Sequence, residues 1–153
     1  MAETKWPFRR VRAFDPAVAA VIARGAASSM TLRALINTLE RSDVIVHVEQ
    51  VNRPGHGLAA ATRFVTRAGG HRYIRVTLYG TWSLSQTIAL IGHELQHAVE
   101  LATAEWVVDQ ATCLELFHAI GRRTCDARRV CYETEAAVIA GARVLDDLNH
   151  RAE

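Results

Sequence analysis

Two histidines four residues apart, His93 and His97, place the strongest constraint on how this chain can fold. They belong to the run GHELQHA at residues 92–98. In an α-helix, residues i and i+4 lie one above the other on a single face, so both imidazoles can point at one metal ion. Glu94 lies about a hundred degrees around such a helix from His93. Its carboxylate can then touch a water on that metal without being a ligand. The run therefore predicts a helix that carries a metal site.

The sequence before this helix predicts a small sheet. Residues 44–51 form a run of β-branched residues with partial alternation, which is typical of a strand. Residues 59–67 and 72–79 are two further strand-like runs, and the Gly69-Gly70 pair between them suits a tight hairpin turn. Because a hairpin is antiparallel, we expect a small, mainly antiparallel sheet.

Apolar residues at helical spacing predict the helices. Candidate capping residues precede them: Asp15-Pro16 for the first helix and Ser28 or Ser29 for the second. Ser83 or Ser85 can cap the helix that contains His93 and His97, called the motif helix below. The first helix is expected to be interrupted over 25–29, and later helices are expected over about 84–101, 105–120 and 126–148. No repeat or linker is visible. We therefore expect one α+β domain over residues 1–153, with the sheet packed on the helices.

Composition and charge narrow the classes of partner and location. The net charge of +2 is too small to favour nucleic acid, and we interpret the arginine clusters at 9–12, 122–123 and 128–129 as solvated surface. No stretch of about twenty apolar residues is present, so no membrane span is expected. The N-terminal residues contain no apolar h-region, so no signal peptide is expected. The compartment stays open, with the cytoplasm as the default and export if a signal has been removed.

The cysteines leave the redox environment open as well. Cys113, Cys125 and Cys131 are an odd and sparse set that gives no disulfide framework. Cys125 and Cys131 can pair if the protein is exported, and a reduced pair in the cytosol is the alternative.

A zinc site with a free position for water uses three protein ligands, so the chain must supply one beyond the two histidines. Glu100 lies on the same helix face as His93 but about 10 Å further along the axis. That separation is too large for Glu100 to share a metal with His93. The third ligand is therefore expected from a later helix.

Two glutamates of the last expected helix compete for this role. Glu133 falls on one apolar stripe at helical spacing, with Val130, Ala137, Ala140, Val144 and Leu148. A carboxylate buried alone on such a stripe is costly, and a metal would resolve the conflict. Glu135 lies on a more mixed stripe and is the fallback, and pairing of Glu133 with Arg129 is the alternative without a metal. Small residues at 136–141 would let this helix pack closely against the motif helix.

With these residues the chain resembles the zincins, the H-E-x-x-H zinc metallopeptidases. A glutamate ligand from a later helix makes it similar to the gluzincin branch, and the resemblance covers roughly residues 72–148. It implies one Zn²⁺ per chain, held by His93, His97 and Glu133, with Glu135 as the fallback. It also implies that Glu94 is the general base for a metal-activated water that hydrolyses a peptide bond.

The resemblance further implies a peptide or protein substrate in extended conformation. In zincins the strand before the motif helix is a sheet edge that pairs with substrate, which here assigns substrate contacts to Arg75, Thr77 and Tyr79. An oxyanion stabiliser is also required, with Tyr132, His118, Tyr79 and the arginines as candidates.

Two features of the sequence depart from the gluzincin pattern. The position four residues after the third ligand, where larger gluzincins often carry an acidic residue, is Ala137, so the usual carboxylate partner of the histidines is not apparent. The gap between His97 and Glu133 is also long. The alternatives are therefore a zincin-like metal-binding interaction domain that is catalytically weak or inactive, and a chance motif on a structural helix.

Overall fold

A computed structural model describes residues 5–125 and 131–151 of the chain. Within that part, the chain has an α+β architecture with five helices, a four-stranded sheet and a two-stranded hairpin. The helices are α1 (Pro16–Ser28), α2 (Met30–Glu40), α3 (Leu84–Thr103), α4 (Gln110–Ile120) and α5 (Glu135–Arg151). The strands are β1 (Val11–Arg12), β2 (Val44–Val51), β3 (Ala60–Ala68), β4 (His71–Tyr79), β5 (Arg122–Arg123) and β6 (Tyr132–Glu133).

The four-stranded sheet is mixed, and the expectation of a mainly antiparallel sheet is wrong. Its order is β1-β2-β4-β3; β1 and β4 both run parallel to β2, and only β3 and β4 are antiparallel. The expected hairpin is present, with positive φ angles of 57° at Gly69 and 78° at Gly70. The difference arises because the segment between β2 and β3 carries the chain past one strand position. As a result β3 occupies the edge, and β4 returns beside β2.

The helix ends show which capping residues act. Ser83 and Gln86 form a capping box at the start of α3, and Ser29 caps α2. The expected break between the first two helices is present but is confined to Ser29, because α1 continues through Gly25 to Ser28. A Cβ at Gly25 would lie 2.6 Å from Leu32 Cδ2 and 2.8 Å from Ile88 Cγ2, so this glycine permits a close approach of helices. Among the described residues no single helix is long and apolar enough to cross a membrane, although α1 and α2 together, bent by 112°, meet that length and composition.

The core lies between the sheet and the helices and holds α3 in place. Side chains from one face of β2 and β4, among them Val46, Val48, Ile74 and Val76, share the buried core with Ile88, Ile91 and Leu95 of α3. On its other side α3 meets α5, where a Cβ at Gly92 would lie 2.6 Å from Val144 Cγ2 and one at Gly141 3.3 Å from His93 Cβ. This close packing of the last helix on the motif helix was expected from its small residues.

A buried arginine fixes the C-terminal end of α3 to the sheet. Arg72 of β4 is 2% exposed, and its guanidinium donates two hydrogen bonds of 2.8 Å to the carboxylate of Asp43. The same guanidinium donates to four backbone carbonyls at and beyond the helix end, those of Leu101, Ala102, Ala104 and Val107. The carbonyls of Leu101 and Ala104 also accept backbone N–H groups, so the guanidinium matters most for those of Ala102 and Val107.

Candidate metal centre

The motif helix brings the two histidines together on one face, as their spacing predicts. The ring centroids of His93 and His97 lie 5.2 Å apart. Atoms of His93, Glu94 and His97 that can bind a metal lie within 4.8 Å of one another. The His97 side chain is 7% exposed and that of His93 is 21% exposed. His93 therefore borders solvent while His97 is enclosed.

Glu133 completes this cluster. Its Oε1 atom lies 2.9 Å from Nε2 of His93 and 3.3 Å from Nε2 of His97. Glu133 belongs to β6 rather than to a helix, because α5 begins only at Glu135. The expectation that a C-terminal helix carries this glutamate is therefore wrong. Glu135 is exposed at the first position of α5, and no contact joins it to either histidine within the described part of the chain.

Only part of the apolar stripe that predicted Glu133 lies on a helix. Ala137, Ala140 and Val144 are buried on α5 as expected. Val130 and Arg129, the stripe's first residue and the alternative partner of Glu133, lie outside the described residues, as does the start of the expected helix at 126–130.

A second carboxylate holds the other nitrogen of His97. Nδ1 of His97 lies 3.0 Å from Oε2 of Glu100, and Oε1 of Glu100 accepts a 2.6 Å hydrogen bond from the Thr134 hydroxyl. The backbone N–H of Thr134 in turn donates to Oε1 of Glu133 at 3.1 Å. A carboxylate partner, which is not apparent four residues after Glu133, is therefore present, but it comes from the motif helix itself.

Thr62 of β3 fixes the carboxylate of Glu94. Its hydroxyl donates a 2.6 Å hydrogen bond to Oε2 of Glu94, which is 5% exposed. Burial raises the pKa of Glu94, while the neighbouring His97 and the hydrogen bond from Thr62 act in the opposite direction. The group therefore takes up a proton more readily than an exposed glutamate.

His97 and Glu133 shift each other's pKa. Burial disfavours charge on His97, but hydrogen bonds to Glu100 and Glu133 outweigh it and raise the pKa of His97 to about 10. Burial likewise disfavours charge on Glu133, but hydrogen bonds from His93 and His97 outweigh it and lower the pKa of Glu133 to about 2. In the metal-free chain, proton-mediated contacts thus hold these side chains together.

The donor set of this cluster fits a zinc ion. Zinc sites with an open position combine three imidazole or carboxylate ligands. Here two imidazole Nε2 atoms each lie within 3.3 Å of one carboxylate oxygen. A carboxylate on the second nitrogen of a histidine, as Glu100 provides for His97, is the usual means of orienting a zinc ligand.

The cluster lies where two cavities of about 230 and 410 Å³ meet, and both are lined by His93, Glu94 and Glu133. The smaller cavity extends between β3 and α4 and is also lined by Ala61, Gln110, Cys113, Leu114, Phe117 and Tyr132. The larger one extends the other way and is also lined by His56, Gly57, Ala59, Leu90 and Cys125. Together they form a cleft along the outer edge of β3.

The substrate strand expected from the sequence is not an edge. Arg75, Thr77 and Tyr79 belong to β4, which pairs with β2 on one side and β3 on the other. The strand that borders the cleft is β3, and none of the three residues lines either cavity. Thr77 and Tyr79 instead make contacts elsewhere: Thr77 donates to Glu49 at 3.0 Å, and the Arg53 guanidinium lies 5.9 Å from the Tyr79 ring.

Two candidates for oxyanion stabilisation lie together, and one of them borders the cleft. The hydroxyl of Tyr132 is 3.2 Å from Nδ1 of His118, and Tyr132 lines the smaller cavity. Tyr132 directly precedes Glu133 on β6, so the same two-residue strand supplies both side chains.

The hairpin that carries these residues is cross-linked. Cys125 and Cys131 form a disulfide, and Thr124 N–H donates to the carbonyl of Cys131 at 3.1 Å. This is the paired state, one of the two that the sequence left open. Cys113 is free and buried, and burial raises the pKa of its thiol to about 11.

Several of these residues escaped analysis of the sequence. Thr62, Thr134 and Gln110 are polar residues that only the tertiary fold brings to the cleft. Glu100 could have been found, because its place three residues after His97 is within reach along one helix face.

No family model, curated protein or solved structure matches this chain. The resemblance to zincins therefore depends on the motif. Any chemistry assigned to the site must be argued from its own geometry.

Proposed function

We propose that the protein is a zinc-dependent peptidase, with one zinc held by His93, His97 and Glu133 and with Glu94 as general base. The observation that carries the proposal is the convergence of both Nε2 atoms on one oxygen of Glu133, at 2.9 and 3.3 Å. Three ligands leave a fourth position for water or substrate, as catalytic zinc sites require. A bound zinc would supply Lewis-acid chemistry, acidifying a water and polarising a carbonyl.

Glu94 has the position and the environment of a base. Thr62 holds its Oε2, which leaves Oε1 to accept a proton from the attacking water. Because burial raises the pKa of Glu94, the carboxyl can hold that proton and then donate it to the leaving amine. The same group thus serves both halves of a hydrolysis.

Glu100 and Thr134 keep the ligands oriented. With Oε2 of Glu100 accepting from Nδ1–H of His97, the lone pair of Nε2 is directed into the cluster. Thr134 joins Glu100 to Glu133, so one hydrogen-bonded chain restrains a ligand from α3 and a ligand from β6.

The cleft supports an extended peptide as substrate. β3 is the edge strand beside the cluster, and an extended segment can add to it through backbone hydrogen bonds. In this proposal β3 takes the role that the resemblance assigns to β4, the strand immediately before the motif helix. The Tyr132 phenol, oriented by His118, is available to donate to the oxyanion that develops on the substrate carbonyl.

The test combines zinc content with cleavage of an unfolded protein such as casein. Native mass spectrometry of the parent should find one zinc per chain, and His97→Ala should hold none. Glu94→Gln should keep zinc and lose about 10²- to 10⁴-fold in cleavage rate. Glu115→Gln, an exposed glutamate on α4, is the matched control and should behave like the parent.

Two results would contradict the proposal. A parent that holds no zinc even after zinc is added would refute the metal site. A zinc-loaded parent that cleaves neither an unfolded protein nor a short peptide, or cleaves them equally well as Glu94→Gln, would refute the peptidase and leave a metal-binding domain.

A further inference from the structure

The hydrogen-bonding groups of β3 alternate between its partner strand and the cleft. Tyr79 N–H donates to the carbonyl of Ala59 at 2.9 Å, which makes these two residues a hydrogen-bonded pair. In an antiparallel ladder such pairs alternate, so Ala61 and Arg63 also bond to β4. The N–H and C=O groups of the residues between them are directed away from β4; these residues are Ala60, Thr62 and Phe64.

One of these outward groups is already occupied. Oε1 of Gln110 accepts a hydrogen bond from Phe64 N–H at 3.1 Å. Gln110 is the first residue of α4, and Asp109 before it forms a capping box with Thr112 that fixes this end of the helix. Within the part of the chain that the structure describes, no partner bonds to the outward backbone groups of Ala60 or Thr62. The open edge therefore ends at Phe64.

The hydrogen bond between Gln110 and Phe64, which blocks the edge of β3, lies close to the proposed reaction centre. The Thr62 hydroxyl bonds Glu94 at 2.6 Å, so Thr62 is level with the base. Phe64 is two positions further along β3, and its N–H is the one that Gln110 covers. A peptide paired with the edge at Thr62 thus meets α4 within about one further hydrogen-bonded pair.

The cavity on the blocked side is small and mostly apolar. Leu114 and Phe117 of α4 line it together with Cys113 and Ala61, and its volume is about 230 Å³. This is below the roughly 300 Å³ at which pockets begin to take drug-sized ligands. The cavity on the other side is larger, at about 410 Å³, and Gln110 does not line it.

We propose that Gln110 is a specificity-determining residue that ends the substrate-binding edge and limits cleavage to bonds near one end of a peptide. The inference rests on the proposed function and names its substrate class: short peptides or unfolded chain ends with an apolar residue next to the scissile bond. On the open side of Thr62 the peptide can continue past Ala60; on the blocked side it cannot pair beyond Phe64. The direction in which the peptide runs along β3 determines which of its ends is restricted.

The test uses the zinc-loaded full chain and fluorogenic peptides with one apolar core. Two series lengthen the core by up to about four residues, one at the N-terminal side and one at the C-terminal side. For the parent, kcat/KM should fall about tenfold or more in one series only, once more than about two residues are added. The decrease in kcat/KM should arise mainly from a higher KM, because the added residues cannot pair with the edge of β3 while the reacting groups are unchanged.

Two substitutions at the same position provide the comparison. Gln110→Ala removes the acceptor and should flatten the length profile, and hydrogen exchange at the Phe64 amide should become faster. Gln110→Glu keeps an acceptor for Phe64 N–H and should keep the parent's profile. Gln110 is exposed, so neither variant removes a core side chain.

The outcomes separate the inference from the function on which it rests. A zinc-loaded parent that cleaves no peptide of any length would overturn both. A parent that cleaves both series without a length limit, or a Gln110→Ala variant that keeps the parent's limit, would overturn the role of Gln110 and leave the peptidase standing.

Discussion

Removing the negative charge of Glu100 should weaken zinc binding although Glu100 is not itself a ligand. Glu100→Gln preserves the shape of a side chain that is 10% exposed, but it replaces one acceptor oxygen with an NH₂ donor. The remaining oxygen can accept from His97 Nδ1 or from the Thr134 hydroxyl, whose present distances are 3.0 and 2.6 Å, but not from both in the present geometry. The variant therefore loses the charge opposite His97 and one of two hydrogen bonds.

The expected size of the effect follows from these contacts. Loss of a second-shell partner typically costs about 10- to 100-fold in metal affinity, or about 1.4 to 2.8 kcal/mol. The amide can still make one of the two bonds, so Glu100→Gln should raise the zinc Kd about tenfold. Glu100→Ala leaves both partners without an acceptor and should approach a hundredfold.

Competition with a chromophoric chelator at fixed pH measures these affinities, with Glu115→Gln as the matched control. The cleavage rate per zinc-loaded chain, measured at saturating zinc, shows whether the ligands are also misoriented. If both Glu100 variants remain folded and bind zinc within about twofold of the parent, Glu100 does not orient His97 and this reasoning is wrong.

Four further predictions follow from the described contacts. Zinc binding at pH 7.5 should release about one proton from His97, because its pKa is about 10 in the metal-free chain and a histidine that binds zinc must be neutral. Calorimetry in buffers of different ionisation enthalpy measures this proton release, and a release of no proton would contradict the prediction. The same raised pKa stabilises the metal-free fold fully below pH 6.5, and that contribution should be lost as the pH rises through 10, which urea unfolding across this range can measure. Arg72→Ala should lower the free energy of unfolding by about 3 kcal/mol, since it leaves carbonyls at the end of α3 without a donor; a loss below about 1 kcal/mol would mean that water replaces the guanidinium. Replacing Cys125 and Cys131 together by serine should cost about 2 kcal/mol of stability by freeing a short loop, whereas Cys113→Ser should leave the disulfide intact.

Local signals in the sequence are sufficient for the elements nearest the site. The β-branched run at 44–51 is the strand β2 with the same bounds, and Ser83 begins the motif helix. The Gly69-Gly70 pair forms the expected hairpin because both positions need positive φ. Each of these features is set by residues that are close in sequence.

Strand order is not local, and the sequence analysis failed there. A β3–β4 hairpin has the same sequence pattern whether its first or its second strand faces the open edge. Only the fold shows that Val76, Thr77 and Leu78 of β4 are buried in succession. A strand covered on both faces lacks strict alternation, which is typical of a central position in a sheet with parallel neighbours.

The location of Glu133 shows a different limit. Helical spacing joined Glu133 to Ala137, Ala140, Val144 and Leu148, and these four residues lie on α5 whereas Glu133 does not. Its own backbone pairs with Arg122 in the β5–β6 hairpin. Thr134 begins the helix instead, since its hydroxyl accepts from Ala137 N–H at 3.2 Å. The spacing of apolar residues does not reveal a capping residue, so it predicts a helix that begins before the actual N-terminus of α5.

Glu100 shows how much of the site one helix can specify. Helical rise separates Glu100 from His93 too far for a shared metal, yet the same geometry brings it to Nδ1 of His97, one turn away. In the proposed zinc site the motif helix thus carries two ligands, the base and an orienting carboxylate on a single element. The rest of the chain has to add one further carboxylate, from a cross-linked hairpin, and one edge strand. That small requirement explains how a chain of 153 residues can assemble such a site.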